Sequence, residues 1–181
     1  MVSGQGLRIV VTDASVVINL VHVDRLPMLS SLEGLEFVIT DEVLSEVKDG
    51  LQARALRMAM DDRNLGKESL ETPAELRLFA GHVQVMGRGE ASCLALAESR
   101  GYLVACDERR KFLAVARERL GEGRVVNTPG LFVLAIRRGF MTVDEADADK
   151  QALESHRFRM KFTSFRGVVG GDVKRVEDSA E

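Results

Sequence analysis

Four acidic residues stand where this sequence could do chemistry: Asp13, Glu46, Glu90 and Asp107. Asp13 closes the apolar run LRIVVT and Asp107 closes YLVAC. If these runs are neighbouring parallel strands, both carboxylates reach the carboxyl edge of one sheet, where open α/β folds bind their ligands. Glu90 shares a helical stripe with Cys93, Leu94 and Ala97 at i, i+3, i+4 and i+7, so its carboxylate points where apolar side chains point. Glu46 lies at the margin of the buried stripe of TDEVLSEV. It also stands one turn after Glu42, a like-charge pair costing about 0.2–0.5 kcal/mol on an ordinary helix.

Taken singly, each acid has an ordinary explanation. Asp13 and Asp107 suit helix N-caps, worth about 1 kcal/mol each. Glu90 in a first turn favours the helix dipole, and Glu46 suits a solvated face. Taken together, several carboxylates at close range raise one another's pKa and repel unless a cation compensates. Oxygen-only ligation, with no His or Cys nearby, favours Mg2+ or Mn2+ over zinc. The expected ligands are Asp13, Glu90 and Asp107, direct or through water, with Glu46 in the outer shell or helping to position the water. Such a site orients water and stabilises charge on a phosphodiester, so the expected reaction is phosphodiester hydrolysis without a covalent intermediate. Ser15 and Thr128, on the same edge, either hold these carboxylates and waters or cap helices. Glu108, directly after Asp107, competes with it for the role of ligand.

The elements that must position these residues follow a β-then-α rhythm. Leu7 to Thr12, Leu35 to Thr40, Tyr102 to Cys106 and Arg124 to Asn127 read as strands, each followed by a helix-compatible stretch. That order predicts an α/β fold with a parallel sheet covered on both faces. Residues 129–138 and 143–155 read as further helices, the first starting with Pro129. The helix-rich stretch from 50 to 86 reads as an inserted hairpin or a lid. At 181 residues the chain suits one domain, over residues 1–166, followed by a mobile tail at 167–181.

A net charge of -3 from 25 basic and 28 acidic residues gives no global basic field, so nucleic-acid contact needs a local patch. Cys93 and Cys106 lack zinc spacing and read as buried reduced thiols, which suggests a cytoplasmic protein. The start of the chain has no signal-peptide pattern, and no segment is apolar enough to span a bilayer.

With these residues in hand, the chain resembles the PIN-domain family of nucleases over nearly its whole length. The carriers are VVTDASVVINL with Asp13, ITDEVLSEV with Glu46, GRGEASCLALA with Glu90 and VACDERR with Asp107. VDRLPMLSSL and VVNTPGLFVLAIRRGFMT look like the prokaryotic subgroup close to VapC toxins. The resemblance implies a three-layer α/β/α sandwich around a central, mostly parallel sheet. It also implies Mg2+- or Mn2+-dependent cleavage of RNA, a homodimer, and in toxin members an antitoxin from the same operon that blocks the site. Val16 departs from the pattern, where proline is expected; this alters local stiffness and not chemistry.

RNA contact is expected from Arg109, Arg110 and Lys111 beside Asp107, and from Arg157 and Arg159 in a basic run interleaved with Phe158, Phe162 and Phe165. The alternative for that run is a solvated charged face over core aromatics. Two other functions compete. Gly87, Gly89 and Ser92 approach a dinucleotide-binding G-x-G-x-x-G, but the third glycine is missing and Glu90 would repel a pyrophosphate. A catalytically silent PIN-like scaffold for protein partners would carry the same fold.

Overall fold

Val10, Val11, Val38, Ile39, Val104 and Ala105 are at most 2% exposed. Near-continuous apolar strands of this kind need cover on both faces, as a parallel sheet between helices provides. In the computed structural model, which describes residues 7–108 and 111–170, they form the centre of a five-stranded parallel sheet. The strands are β1 (Arg8–Thr12), β2 (Leu35–Thr40), β3 (Gly66–Glu68), β4 (Leu103–Ala105) and β5 (Val125–Val126), in the order β3-β2-β1-β4-β5. The expected strands are present, trimmed by a residue or two at their ends.

The helices are α1 (Ala14–His22), α2 (Met28–Ser31), α3 (Asp41–Glu46), α4 (Gly50–Asp61), α5 (Pro73–His82), α6 (Arg88–Arg100), α7 (Lys111–Leu120), α8 (Thr128–Arg137) and α9 (Val143–Ser155). One layer has α1 against α4, α8 and α9; α6 lies on β1, β2 and β4 and packs against α3, α5 and α7. The result is the three-layer α/β/α sandwich. Strand order reverses between β1 and β4, which pair Thr12 with Ala105. The chain leaves both strands at this switch point, so the residues that follow them face one crevice.

The segment from 50 to 86 is not a lid. Between α4 and α5 runs β3, an edge strand whose Gly-Lys-Glu composition has no apolar alternation to announce it. Its charges suit an unpaired edge. Arg100, at the end of α6, donates through Nε to Glu75 of α5 at 2.6 Å, through Nη2 to the Ser69 carbonyl at 3.1 Å, and through Nη1 to Glu68. Arg100 holds the Glu75 carboxyl down at about 2, with backbone donation from Thr72 and Glu71 adding to it against the cost of burial. The insert is thereby fastened to the helix that carries Glu90.

At the C-terminal end, Phe165 is fully buried beside Phe132 and Phe162, and Val168 and Val169 pack on the core. Arg137 donates to the Val169 carbonyl at 3.0 and 3.1 Å. Packing thus continues to Val169, past the expected boundary after residue 166. The rest of the expected tail, from 171 on, lies outside the described residues.

Candidate functional site

Asp13 directly follows β1 and is only 4% exposed. Its Oδ2 accepts from the Ser15 backbone N–H at 3.2 Å and the Ser15 hydroxyl at 2.7 Å, so it does cap α1. Its Oδ1 is buried and has no hydrogen-bond partner among the described residues. Leaving a buried acceptor unmet costs about 1–3 kcal/mol, and more when it carries charge. A capping role accounts for one oxygen of Asp13 and leaves the other unmet among the described residues.

The positive end of α6 receives two of the other acids. The Gly89 N–H donates to Glu46 Oε1 at 2.7 Å, and the Gly87 N–H donates to Glu90 Oε2 at 2.9 Å. Gly87 has no side chain to return the bond, so this is half of a capping box. A Cβ at Gly89 would lie 2.5 Å from Glu46 Oε2, so glycine is what lets that carboxylate approach the helix. Burial pushes the Glu90 carboxyl up, and the charges of Asp13, Glu108 and Glu46 push the same way against the Gly87 N–H. Asp13, Glu46, Glu90 and Glu108 share a cleft of about 410 Å3 with Lys111 and Ser15.

Asp107 is placed differently. Oδ1 accepts from the Thr128 N–H at 2.8 Å, while Oδ2 accepts from the Thr128 hydroxyl at 2.6 Å and Asn19 Nδ2 at 2.8 Å. It therefore receives the start of α8 across the sheet edge. Burial raises its carboxyl, opposed by the donors from Thr128 and Asn19. Ser15 links the two strand-end acids, since its Oγ donates to Asp13 and accepts from the Asp107 N–H at 3.2 Å. Asp107 and Glu108 line a second cleft beside the first, together with Ser15, Asn19 and Arg157.

Among the described residues, no three His, Cys, Asp or Glu side chains converge closely enough to close round one ion. Glu46, Glu90 and Asp107 each turn toward a protein donor, the arrangement expected of neighbouring carboxylates that repel. The donor set nevertheless fits a hard divalent ion: a buried oxygen on Asp13 unpartnered among the described residues, three more acids on the same cleft, and no thiolate or imidazole in its lining. Cys93 and Cys106 are buried and reduced, and burial pushes both thiols up.

The roles of three residues do not follow from the sequence. Asn19 is the polar member of an otherwise apolar helix face, one turn after Ser15, and that spacing was the available signal. Thr40 and Ser92, both fully buried, share a hydroxyl–hydroxyl hydrogen bond of 2.7 Å. Thr40 also caps α3 through the Val43 N–H, and Ser92 donates to the Gly89 carbonyl, so the pair clamps the helix of Glu46 to that of Glu90.

Of the expected RNA contacts, Lys111 lines the acid cleft and Arg157 the second one. Arg159 lines neither of them. Arg109 and Arg110 lie outside the described residues. Phe162 and Phe165 pack edge to face with ring centroids 4.8 Å apart, so they belong to the core. The dinucleotide-binding alternative fails because the start of α6 is already taken by Glu46 and Glu90.

The family model DUF3368, described as a PIN domain, matches residues 9–169. The chain belongs to the PIN-domain family. PIN domains are in general nucleases that use divalent metals, which agrees with an acid-lined cleft at the switch point. No curated protein matches the chain. The crystal structure of PAE2754 from Pyrobaculum aerophilum is similar at 19% identity, covering 71% of this chain and 97% of that one with a TM-score of 0.46. Among the described residues, no helix is long and apolar enough to cross a membrane.

Proposed function

We propose that the chain is a ribonuclease dependent on Mg2+ or Mn2+ that hydrolyses RNA phosphodiester bonds at the cleft of Asp13, Glu46 and Glu90. The observation that carries this reading is the buried Oδ1 of Asp13, unpartnered among the described residues, on a residue that lines a cleft with three further acids, Glu46, Glu90 and Glu108. Asp13 and Glu90 would hold the cation, with Asp107 reaching it directly or through water and Glu108 as its alternative. Bound there, the ion would supply a positive charge for the phosphodiester oxygens and would orient a water for attack. In such a hydrolysis the water oxygen would bond to phosphorus as the bond to the departing ribose oxygen broke, with the water's proton ending on that oxygen. Ser15 fixes the Asp13 rotamer, Thr128 and Asn19 fix Asp107, and Gly89 holds Glu46 where it can position the water. Lys111 on the same cleft offers a phosphate contact.

The cellular role we propose is that of a cytoplasmic toxin held in check by an antitoxin encoded beside it, acting as a homodimer. Leu51 and Met58, 79% and 55% exposed and seven residues apart on α4, leave two apolar side chains uncovered on one helix face, which supports self-association. Co-expression with the adjacent reading frame, followed by purification and light scattering, tests both partners. A complex that inhibits cleavage supports the toxin role, and a monomer at all concentrations removes the dimer.

The donors wrapped round Asp107 favour one second reading, a silent scaffold that keeps the fold for protein contacts. Labelled RNA incubated with the wild type, Asp13→Asn and Asp107→Asn, each with Mn2+ and with a chelator, separates the two. Cleavage by the wild type alone, abolished by chelation, supports the nuclease. Cleavage by all three proteins in chelator points to a contaminant, and absence of cleavage in the wild type favours the scaffold.

A further inference from the structure

The second cleft, about 290 Å3, adjoins the acid cleft and shares Ser15 and Glu108 with it. Its two ends differ in charge. Asp107 and Glu108 form one end, whereas His156, Arg157 and Phe158 form the other. Arg157 is exposed, and among the described residues no ion pair engages its guanidinium. It is held at the mouth of the cleft by a left-handed backbone, φ 66°, and by its N–H on the Glu154 carbonyl at 3.1 Å, where α9 ends. Phe158 is half-buried, its inner part packed on the core and the rest lining the cleft. His156 stacks face to face on His22 with ring centroids 3.7 Å apart, which fixes that wall.

A polyanion crossing the acid cleft meets a difficulty that this second cleft resolves. One phosphate can be neutralised by the cation at Asp13, but the next one along the strand would face Glu108 unless another positive charge draws it past. Arg157 is that charge on the far side of the shared rim. An aromatic beside a cation is also the pairing that holds an unpaired base together with its phosphate. Arg157 and Phe158 offer one phosphate contact and one stacking face, which suits one nucleotide.

Resting on the nuclease reading, we propose that the cleft of Asn19, Arg157 and Phe158 is the subsite for the nucleotide next to the cleaved phosphate of a single-stranded RNA. Arg157 takes the phosphate of that nucleotide and Phe158 takes its base. Asn19 stays on Asp107 and so couples the filling of the subsite to the carboxylate at the strand end.

The test uses fluorescently labelled single-stranded RNA, and a duplex of the same sequence, with Asp13→Asn protein to prevent turnover. Binding is followed by anisotropy at several salt concentrations. Arg157→Asn removes the charge while tolerating the left-handed backbone. It should weaken single-strand binding about 3- to 10-fold and lower the salt slope by about 0.7, the change expected for one lost phosphate contact. Arg157→Lys should restore most of both, and Arg159→Asn, outside the clefts, should leave both unchanged. Phe158→Leu should cost at least about 5-fold on the single strand, in line with loss of one stacked base. If that variant unfolds on heating earlier than its parent, the arginine series decides alone. Unchanged affinity and slope for Arg157→Asn, or duplex binding as tight as single-strand binding, overturns the subsite while wild-type cleavage keeps the nuclease reading. No binding and no Mn2+-dependent cleavage by the wild type overturns both.

Discussion

Gly89→Ala separates the site from the scaffold that carries it. The added Cβ would lie 2.5 Å from Glu46 Oε2 and 2.9 Å from its Cδ. The carboxylate is the free end of a flexible, exposed side chain, so it swings away and the backbone stays. The protein loses a charge-assisted hydrogen bond from the Gly89 N–H, worth about 1.5–3 kcal/mol net. Water meets the freed carboxylate, and alanine recovers up to about 1 kcal/mol of helix propensity. The balance is a loss of about 1–2 kcal/mol, or roughly 3–6 °C in Tm for a chain of this size. Function should suffer far more, because a group displaced by an ångström or more from its working position costs on the order of 100-fold in rate. The assay pairs a thermal melt with Mn2+-dependent turnover of labelled RNA well below the melting range. Full turnover with the melt lowered as calculated would show that the position of Glu46 does not matter. A higher Tm with full turnover would deny the Glu46–Gly89 bond itself.

Acid should weaken the clamp on the insert. The Glu75 carboxyl sits at about 2 when folded, below its ordinary 4.5, so its contribution is complete above about 4.5 and fades as pH falls toward 2. With Arg100 a quarter exposed, that contribution is on the order of 1–2 kcal/mol after solvent screening; in urea melts, Glu75→Gln should remove this part of the pH dependence, and an unchanged slope between pH 5 and 3 would refute it. Asn19→Ala takes one donor from Asp107 and should cost about 1–3 kcal/mol, read by urea denaturation, with less than 0.5 kcal/mol counting against the bond. Thr40→Val, Ser92→Ala and the double variant should show a coupling of about 0.5–3 kcal/mol. Additive losses would mean that the two hydroxyls do not act as one clamp.

The fold was legible because the strands that matter are apolar runs ended by acids, and parallel pairing of β1 with β4 follows from the helices between them. β3 was not legible, since an edge strand of glycine and two charged residues shares the composition of a turn. The site was legible to the level of which acids gather on one edge, because strand ends and first helical turns are fixed by local pattern. What each carboxylate touches was not, because Asp107 meets Thr128 and Asn19, 21 and 88 residues away, through tertiary packing that no local period encodes. The capping readings of Asp13 and Glu90 hold, and they leave the proposed chemical roles open. Each acid spends one oxygen on a helix end, Asp13 on α1 and Glu90 on α6, while its residue lines the cleft.

The central claim is met most directly by calorimetric titration of Mn2+ into the wild type and into Asp13→Asn, with melts confirming that both are folded. Saturable uptake by the wild type, lost or weakened at least about 10-fold in the variant, is the result expected of an ion held on the orphaned Oδ1. Equal uptake by both proteins, or none by the wild type, would contradict it.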